Sequence, residues 1–266
     1  MVRCAGVDIG SRTVKLVVVE DGAMVRREVV YNSHDPLEIC DGLLAGESFD
    51  RLVATGYGRH LLREQMGCAV VTEIRAVAVG AHAVHPAART LVDIGGQDTK
   101  AIAVDGQGRA GRFVMNDKCA AGTGRFLEMA AQALSFSMRH FVAAAETAPS
   151  ACRVSPMCAV FAESEMVSLV GRGTPRDQLA LGIHRGIAER TAAMVRPLLG
   201  EGEILMCGGG ALNACLHREL SAVLGRPVRL PPHPQILAAL GCALVAASAA
   251  DPPNQMDAPA SRRPEP

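Results

Sequence analysis

Tryptophan is absent from this chain of 266 residues, and its aromatic rings amount to two tyrosines and six phenylalanines. So few rings leave little for bases to stack on, and 27 basic residues balanced by 27 acidic ones create no net field to draw in a polyanion. No basic run precedes the C-terminal tail, so nucleic acid is excluded as an expected partner. Long apolar runs are missing too. None reaches the roughly 18 residues of a membrane span, and the opening MVRCAGVDIG enters a strand without the apolar segment of a signal peptide. The expectation is a cytoplasmic protein that does not enter membranes. Nine cysteines, an odd number scattered along such a chain, do not form a disulfide framework and are expected to be mostly reduced and buried.

What is present is apolar bulk. With 49% hydrophobic residues the chain can bury a large core, as one domain of two lobes or as two small domains. CAGVDIGSRTVKLVVVEDGAMVRREVVY reads as a strand, a tight turn at 10–13, a Val-rich strand, an Asp21-Gly22 hairpin turn and a third strand. A helix over 36–44, a short strand at 52–54, the loop ATGYGR, a helix from about His60, a strand at 69–72 and an Ala/Val-rich helix over 73–84 follow. At Thr90 the pattern restarts. Val7-Asp8-Ile9-Gly10 followed by Lys15 is matched by Val92-Asp93-Ile94-Gly95 followed by Lys100, every position offset by 85 residues. V-D-I-G is a common strand-turn string, but the identical spacing and the repeated strand-turn-strand context make internal duplication the better account.

Two such lobes facing each other would place two aspartates and two glycine-rich turns around one cleft. Glycine turns offer backbone N–H groups to phosphate oxygens, and carboxylates hold Mg²⁺ through water, because that ion dehydrates reluctantly. A strand over 203–207 ends in Gly208-Gly209-Gly210, ahead of a helix starting near Ala211 with Asn213 early in it. A glycine run at a strand-helix junction says little alone; after two phosphate-type turns it reads as a cradle for adenosine. Thr174 as cap and Pro175 as first residue open a long helix to about Leu199. A strand over 227–230 leads through PPHPQ to a final apolar helix ending near Ala249, and residues 250–266, rich in Pro, Ala and charge, are expected to be disordered.

Two cysteines stand apart. In MNDKCAAGTGRFLEMAAQAL, Asn116 and Asp117 read as helix caps, which puts Cys119 at a helix N-terminus, where unpaired N–H groups and the helix dipole favour a thiolate. In SPMCAVFAESE, Ser155 reads as a cap and Pro156 as the first helical residue, so Cys158 also falls in a first turn. Two thiolates are too few for tetrahedral zinc or an iron–sulfur cluster, and a two-fold dimer would supply four. The bland alternative is a pair of inert buried thiols.

The order ATGYGR, DIGGQDTK, NDKCAAGTGRFLE, CAVFAESE, GIHR, GGGALN and ALGCAL resembles the ATP-dependent activators of 2-hydroxyacyl-CoA dehydratases and the related ATPase subunits of benzoyl-CoA reductases, over nearly all of residues 3–248. The resemblance implies the α/β two-lobed fold of actin, sugar kinases and chaperone ATPases, with duplicated RNase H-like lobes. Lobe I would be 1–88, with the C-terminal helix over 234–249 packing back on it, and lobe II would be 89–233. It implies a homodimer holding one [4Fe-4S] cluster, each subunit giving Cys119 and Cys158. For ATP or ADP it implies Mg²⁺ held through water by Asp8, phosphates wrapped by Gly10, Ser11, Arg12, Thr13 and Lys15, and a second phosphate turn of Asp93, Gly95, Gly96 and Gln97. Gly208, Gly209 and Gly210 would face the adenosine, Gln235 would lie near the base, and Asp98 would orient the attacking water. Glu163 and Glu165 receive no role. Two departures fall near the adenine: Ala238, where glycine is usual, and Cys242, where alanine is usual.

The activity implied is ATP hydrolysis coupled to one-electron transfer from a ferredoxin or flavodoxin to a partner iron–sulfur dehydratase. Nothing in the chain resembles an acyl-CoA site, so the substrate chemistry would belong to the partner. The rivals are the ATPase subunit of a benzoyl-CoA reductase, a small-molecule kinase without a cluster, and an ATP-binding switch.

Overall fold

The computed structural model describes residues 1–153 and 159–248. β1 (Arg3–Ile9), β2 (Thr13–Glu20) and β3 (Ala23–Tyr31) form an antiparallel meander, α1 (Pro36–Leu44) crosses over, and β4 (Arg51–Gly56) returns parallel to β1. With α2 (Arg59–Met66) and β5 (Ala69–Val70) they complete a sheet ordered β3-β2-β1-β4-β5. Beyond α3 (Glu73–Val84) the motif is built again. β6 (Ala88–Ile94), β7 (Thr99–Val104) and β8 (Ala110–Asn116) form a second meander. α4 (Gly124–Ala133), α5 (Met138–Thr147), α6 (Ala159–Gly171) and α7 (Arg176–Val195) come before β9 (Glu203–Cys207), which runs parallel to β6. α8 (Ala214–Leu224) and β10 (Val228–Arg229) complete the order β10-β9-β6-β7-β8, and α9 (Leu237–Ser248) closes the described chain. β6 begins and ends 85 residues after β1, so the sequence repeat is an architectural one, and the α/β two-sheet fold expected from it forms.

β1 and most of β2 are apolar on both faces because both faces are covered, whereas β3 and β8 lie at sheet edges and are largely exposed. The edges carry Arg26, Arg27 and Glu28 on one strand and Arg112 on the other, charges that oppose pairing with a further strand. Three apolar cores give the layering. Cys40 and Leu43 of α1 and Leu62 of α2 pack on one face of the first sheet. α3 and α9 lie between the sheets, joining Val17 and Val53 to Leu91, Ile102 and Leu205. α4, α5, α7 and α8 cover the outer face of the second sheet with Leu127, Phe141, Ile187 and Leu216. Between the sheets the helix backbones touch: a side chain at Gly80 would strike the Leu237 carbonyl, and one at Gly241 the Ala76 carbonyl.

The helices over 36–44 and 73–84 and the strand over 203–207 form where the sequence places them. Other expectations are corrected. Pro175 has extended backbone and is the cap of α7 rather than its first residue, and the helix gives way to a 3-10 turn at Arg196–Leu198. Asn213 caps α8 rather than lying inside it: its side chain accepts from the Leu216 N–H, and the residues before it form a 3-10 turn, Gly209–Leu212. The strand expected at 69–72 stops at Val70, because Thr72 is taken as the cap of α3. α5 was not foreseen; Ser135 turns the chain with φ 55° and Ser137 caps the new helix. The expected helix start at Ser155, Pro156 and Cys158 and the tail over 250–266 lie outside the described residues. Among the described residues no helix is long and apolar enough to cross a membrane.

Candidate nucleotide site

Each meander ends in the same chemistry. Asp8, near the end of β1, lies opposite Lys15 of β2, whose Nζ donates to Asp8 Oδ2 at 2.8 Å, while Gly10 N–H donates to the Thr13 carbonyl and closes the turn. Asp93 of β6 lies opposite Lys100 of β7, and Gly95 N–H donates to the Asp98 carbonyl. Here the lysine has more partners: Asp98 Oδ2 at 2.7 Å, Glu73 Oε2 at 2.6 Å and Asp93 Oδ2 at 3.7 Å. Glu73 is the first residue of α3, which leaves the first sheet's layer, so this cluster joins both halves. Burial raises the Asp93 and Glu73 carboxyls above their usual range although Lys100 pulls them down. Burial also opposes charge on Lys100, but the attraction of Asp93, Glu73 and Asp98 wins and its ammonium is held above its ordinary value. Sequence reasoning missed Glu73; Thr72-Glu73 is legible as a helix start, but nothing local marks it as facing a lysine in the next repeat.

Both parallel neighbours bring a glycine to these strand ends. Gly56 (φ 88°), at the end of β4, and Gly208 (φ 79°), just past β9, have backbone that favours glycine. A side chain at Gly56 would run into the Asp8 carboxylate and the Ile9 carbonyl; one at Gly208 would meet the Asp93 carboxylate and the Ile94 carbonyl. Gly208 N–H donates to the Pro234 carbonyl, which brings Gln235 beside the glycine run.

These elements open onto one cleft of about 350 Å³. Asp8, Gly10, Ser11, Arg12, Thr13 and Lys15 line it from the first turn, and Asp93, Gly95, Gly96, Gln97 and Asp98 from the second. Gly208, Gly209, Gly210 and Gln235 line it from the segments after β9 and β10. The structure therefore brings together all the residues picked from the sequence for the nucleotide, and Ala238 lies in the same wall. An apolar wall of Leu127, Met138, Val142 and Leu212, also missed in the sequence, faces them. A hydrated divalent cation fits this donor set. The carboxylates are hard oxygen donors, and among the described residues no three His, Cys, Asp or Glu side chains converge to grip a metal directly.

Cys119 is the cap of a 3-10 turn rather than of an α-helix. It lies between β8 and a 3-10 turn, Ala120–Gly122, and α4 begins only at Gly124. Asn116 does not cap a helix but clasps the cysteine's backbone, its Nδ2 donating to the Cys119 carbonyl at 2.8 Å and its Oδ1 accepting from the Cys119 N–H at 3.2 Å. Cys119 is partly exposed and does not line the cleft. Its loop is nonetheless bonded to the second glycine turn and the strand after it: Gly124 N–H donates to the Gly95 carbonyl, Arg125 N–H to the Gly96 carbonyl, each at 2.9 Å, and Thr99 Oγ1 to the Gly122 carbonyl at 2.7 Å. Cys158 lies outside the described residues. Of the other described cysteines, Cys152 is partly exposed, while Cys4, Cys40, Cys68, Cys207, Cys215 and Cys242 are buried. Burial pushes the last six thiols up, those of Cys40 and Cys215 to about 12. An accessible thiol such as Cys119 suits a soft metal, and the six buried ones are unsuited.

The family model of the BadF/BadG/BcrA/BcrD ATPase family matches residues 5–246. The chain is 39% identical over 254 residues to the activator of lactoyl-CoA dehydratase of Anaerotignum propionicum, covering 92% of this chain and 97% of that one. Component A of the (R)-2-hydroxyglutaryl-CoA dehydratase of Acidaminococcus fermentans superposes with a TM-score of 0.86 at 33% identity, over 92% of this chain and 98% of that one. The activator of the 2-hydroxyisocaproyl-CoA dehydratase of Clostridium difficile, solved with bound ADPNP, superposes with a TM-score of 0.83 at 32% identity, over 92% and 94%. A ROK family glucokinase from Streptomyces griseus, 13% identical with a TM-score of 0.59 over 93% and 100%, shares the fold alone. The duplicated glycine turns, the glycine run after β9 and the match across nearly the whole chain lead to one assignment: this chain belongs to the BadF/BadG/BcrA/BcrD ATPase family.

Proposed function

We propose that this chain is an ATP-hydrolysing activator that hands single electrons at low potential to a partner iron–sulfur 2-hydroxyacyl-CoA dehydratase. The observation that carries the reading is the junction between the second phosphate turn and the Cys119 loop. Because Gly95 and Gly96 accept hydrogen bonds from the first residues of α4, a shift of that turn around a phosphate is passed to the peptide bearing a partly exposed thiol. The relatives named above are activators or components of such dehydratases, and one was solved with an ATP analogue, which supports both halves of the reading.

In this mechanism the N–H groups that follow Gly10 and Gly95 in the two turns, at Ser11 and Arg12 and at Gly96 and Gln97, take the phosphate oxygens, with Lys15 adding charge. Asp8 would hold Mg²⁺ through water, Asp93 would complete the phosphate site with the second turn, and Asp98 would orient the attacking water. Gly208, Gly209 and Gly210 let the backbone approach the adenosine, and Gln235 lies by the base. Lobe I, residues 1–88 with the helix over 234–249, closes on lobe II, residues 89–233. Cys119 and Cys158 of two subunits in a homodimer would supply the four thiolates that a [4Fe-4S] cluster takes, and that group would provide one-electron chemistry. Ferredoxin or flavodoxin is the donor, and the setting is cytoplasmic. For one electron, lowering a potential by ~200 mV requires about 5 kcal/mol, a quantity nucleotide-driven domain closure can couple.

Iron, acid-labile sulfide and solution mass, measured together on protein purified without oxygen, test the proposal. About two irons and two sulfides per chain in a dimer are expected for one shared cluster. Protein without iron that cannot be reconstituted, and that transfers phosphate to a small molecule, would be a kinase instead. Co-purification with further iron–sulfur subunits would mark a reductase subunit.

A further inference from the structure

Arg12 leaves the first phosphate turn and crosses the cleft. Its stem lies over Gly96 of the second turn, where an added side chain would collide with it, and its Nη2 donates to Glu128 Oε1 on α4 at 2.8 Å. Arg125 holds the other Glu128 oxygen at 3.2 Å. The Arg12 Nε is buried and has no hydrogen-bond partner among the described residues. A guanidinium with one edge on a carboxylate and a buried donor unused is half satisfied, and its planar fork matches a phosphate. Arg12 and Glu128 both line the cleft that holds the phosphate turns.

We infer that Arg12 senses the terminal phosphate of ATP by exchanging Glu128 for it, and that the exchange frees α4 and the Cys119 loop ahead of it. The inference rests on the reading of the cleft as an ATP site. Three features favour exchange over a shared arrangement. The ion pair is weakly held, since both side chains are more than a third exposed and water screens them. A γ-phosphate carries more negative charge than a carboxylate and takes two parallel N–H bonds from a guanidinium, Nε among them. Glu128, left facing that phosphate, is repelled. Glu128 lies one turn into the helix whose first N–H groups are bonded to Gly95 and Gly96, so its release acts on the same short segment that holds Cys119. ADP lacks the group that drives the exchange, so the device distinguishes the two nucleotides.

Binding of a non-hydrolysable ATP analogue and of ADP to the full-length protein, with Glu128→Gln, Arg12→Gln and the double variant, tests this. Glu128→Gln is expected to tighten the analogue about threefold, the worth of an exposed ion pair, and to leave ADP unchanged. Arg12→Gln is expected to weaken the analogue and, in the double variant, to abolish the gain from Glu128→Gln. Hydrogen–deuterium exchange over 117–128 is expected to be as fast in nucleotide-free Glu128→Gln as in analogue-bound wild type. An analogue affinity unchanged or weakened by Glu128→Gln, or equal gains for ADP, would overturn the sensor while leaving the ATP site standing. A wild type that binds neither nucleotide would overturn both.

Discussion

Between β3 and β4 the first half of the molecule needs only α1, whereas between β8 and β9 the second half carries α4, α5, α6 and α7. The strand ends themselves are alike: an aspartate paired across the hairpin with a lysine, and a positive-φ glycine pressed against it from the parallel neighbour. The difference shows how labour is divided. Sheet geometry repeats the aspartate–lysine grip, and the insertion in one half adds what the repeat lacks: the thiol loop, most of the apolar wall of the cleft and Glu128. The grips also differ in charge, because Lys15 meets one carboxylate and Lys100 meets three.

That difference can be broken at the lysines, where the effects are largest. Lys100→Met leaves three mostly buried carboxylates without their cation and is expected to cost about 3–5 kcal/mol of stability, against about 2 kcal/mol for Lys15→Met, in urea unfolding. The Lys100→Met loss should grow with pH. Carboxyls raised by burial bind more protons folded than unfolded, so stability falls as pH rises above their ordinary values of 3.8 and 4.5. A loss at about pH 8 no larger than at about pH 5 would contradict this account. The likeness of the halves is sharpened at the glycines. Gly56→Ala and Gly208→Ala should each cost about 1–3 kcal/mol by unfolding midpoint, and a large inequality would mean that the two strand ends are not equivalent.

The smallest effect concerns a support found in the second half. The N-cap of α2, Gly58, makes no side-chain cap bond, whereas Asn213 caps α8 and its Nδ2 donates to Nε2 of His184, whose Nδ1 donates to the Ala180 carbonyl. Asn213→Ala should therefore cost about 1 kcal/mol. His184 is buried and neutral in this arrangement, and burial holds its pKa below the ordinary 6.5. A depressed histidine binds fewer protons folded than unfolded, so its contribution is present above pH 6.5 and lost as pH falls below it. Melting temperatures across that range should flatten in His184→Gln.

Much of this was legible in the chain. V-D-I-G with a lysine five residues on marks both grips, because a hairpin of fixed turn length sets which residues lie opposite each other. The glycines of ATGYG and GGG mark places where backbone meets strand ends. The helix type at Cys119 was misread for a local reason: Asn116 and Asp117 are good caps, but Asn116 still belongs to β8 and spends its amide on the cysteine's own backbone. α5 was hidden because its start follows a turn at Ser135 that no Gly or Pro announces.

The amino-acid order by itself determined the repeat, the two meanders, the turn residues and the apolar helices, since each is written in short spacings that backbone geometry reads directly. Only the tertiary structure decided that Glu73 faces Lys100, that Arg12 reaches Glu128, and that α3 and α9 press backbone to backbone through Gly80 and Gly241. Those meetings span from 27 to more than 150 residues. They depend on how two twisted sheets stack about a shared helical layer, a global packing that no local spacing encodes.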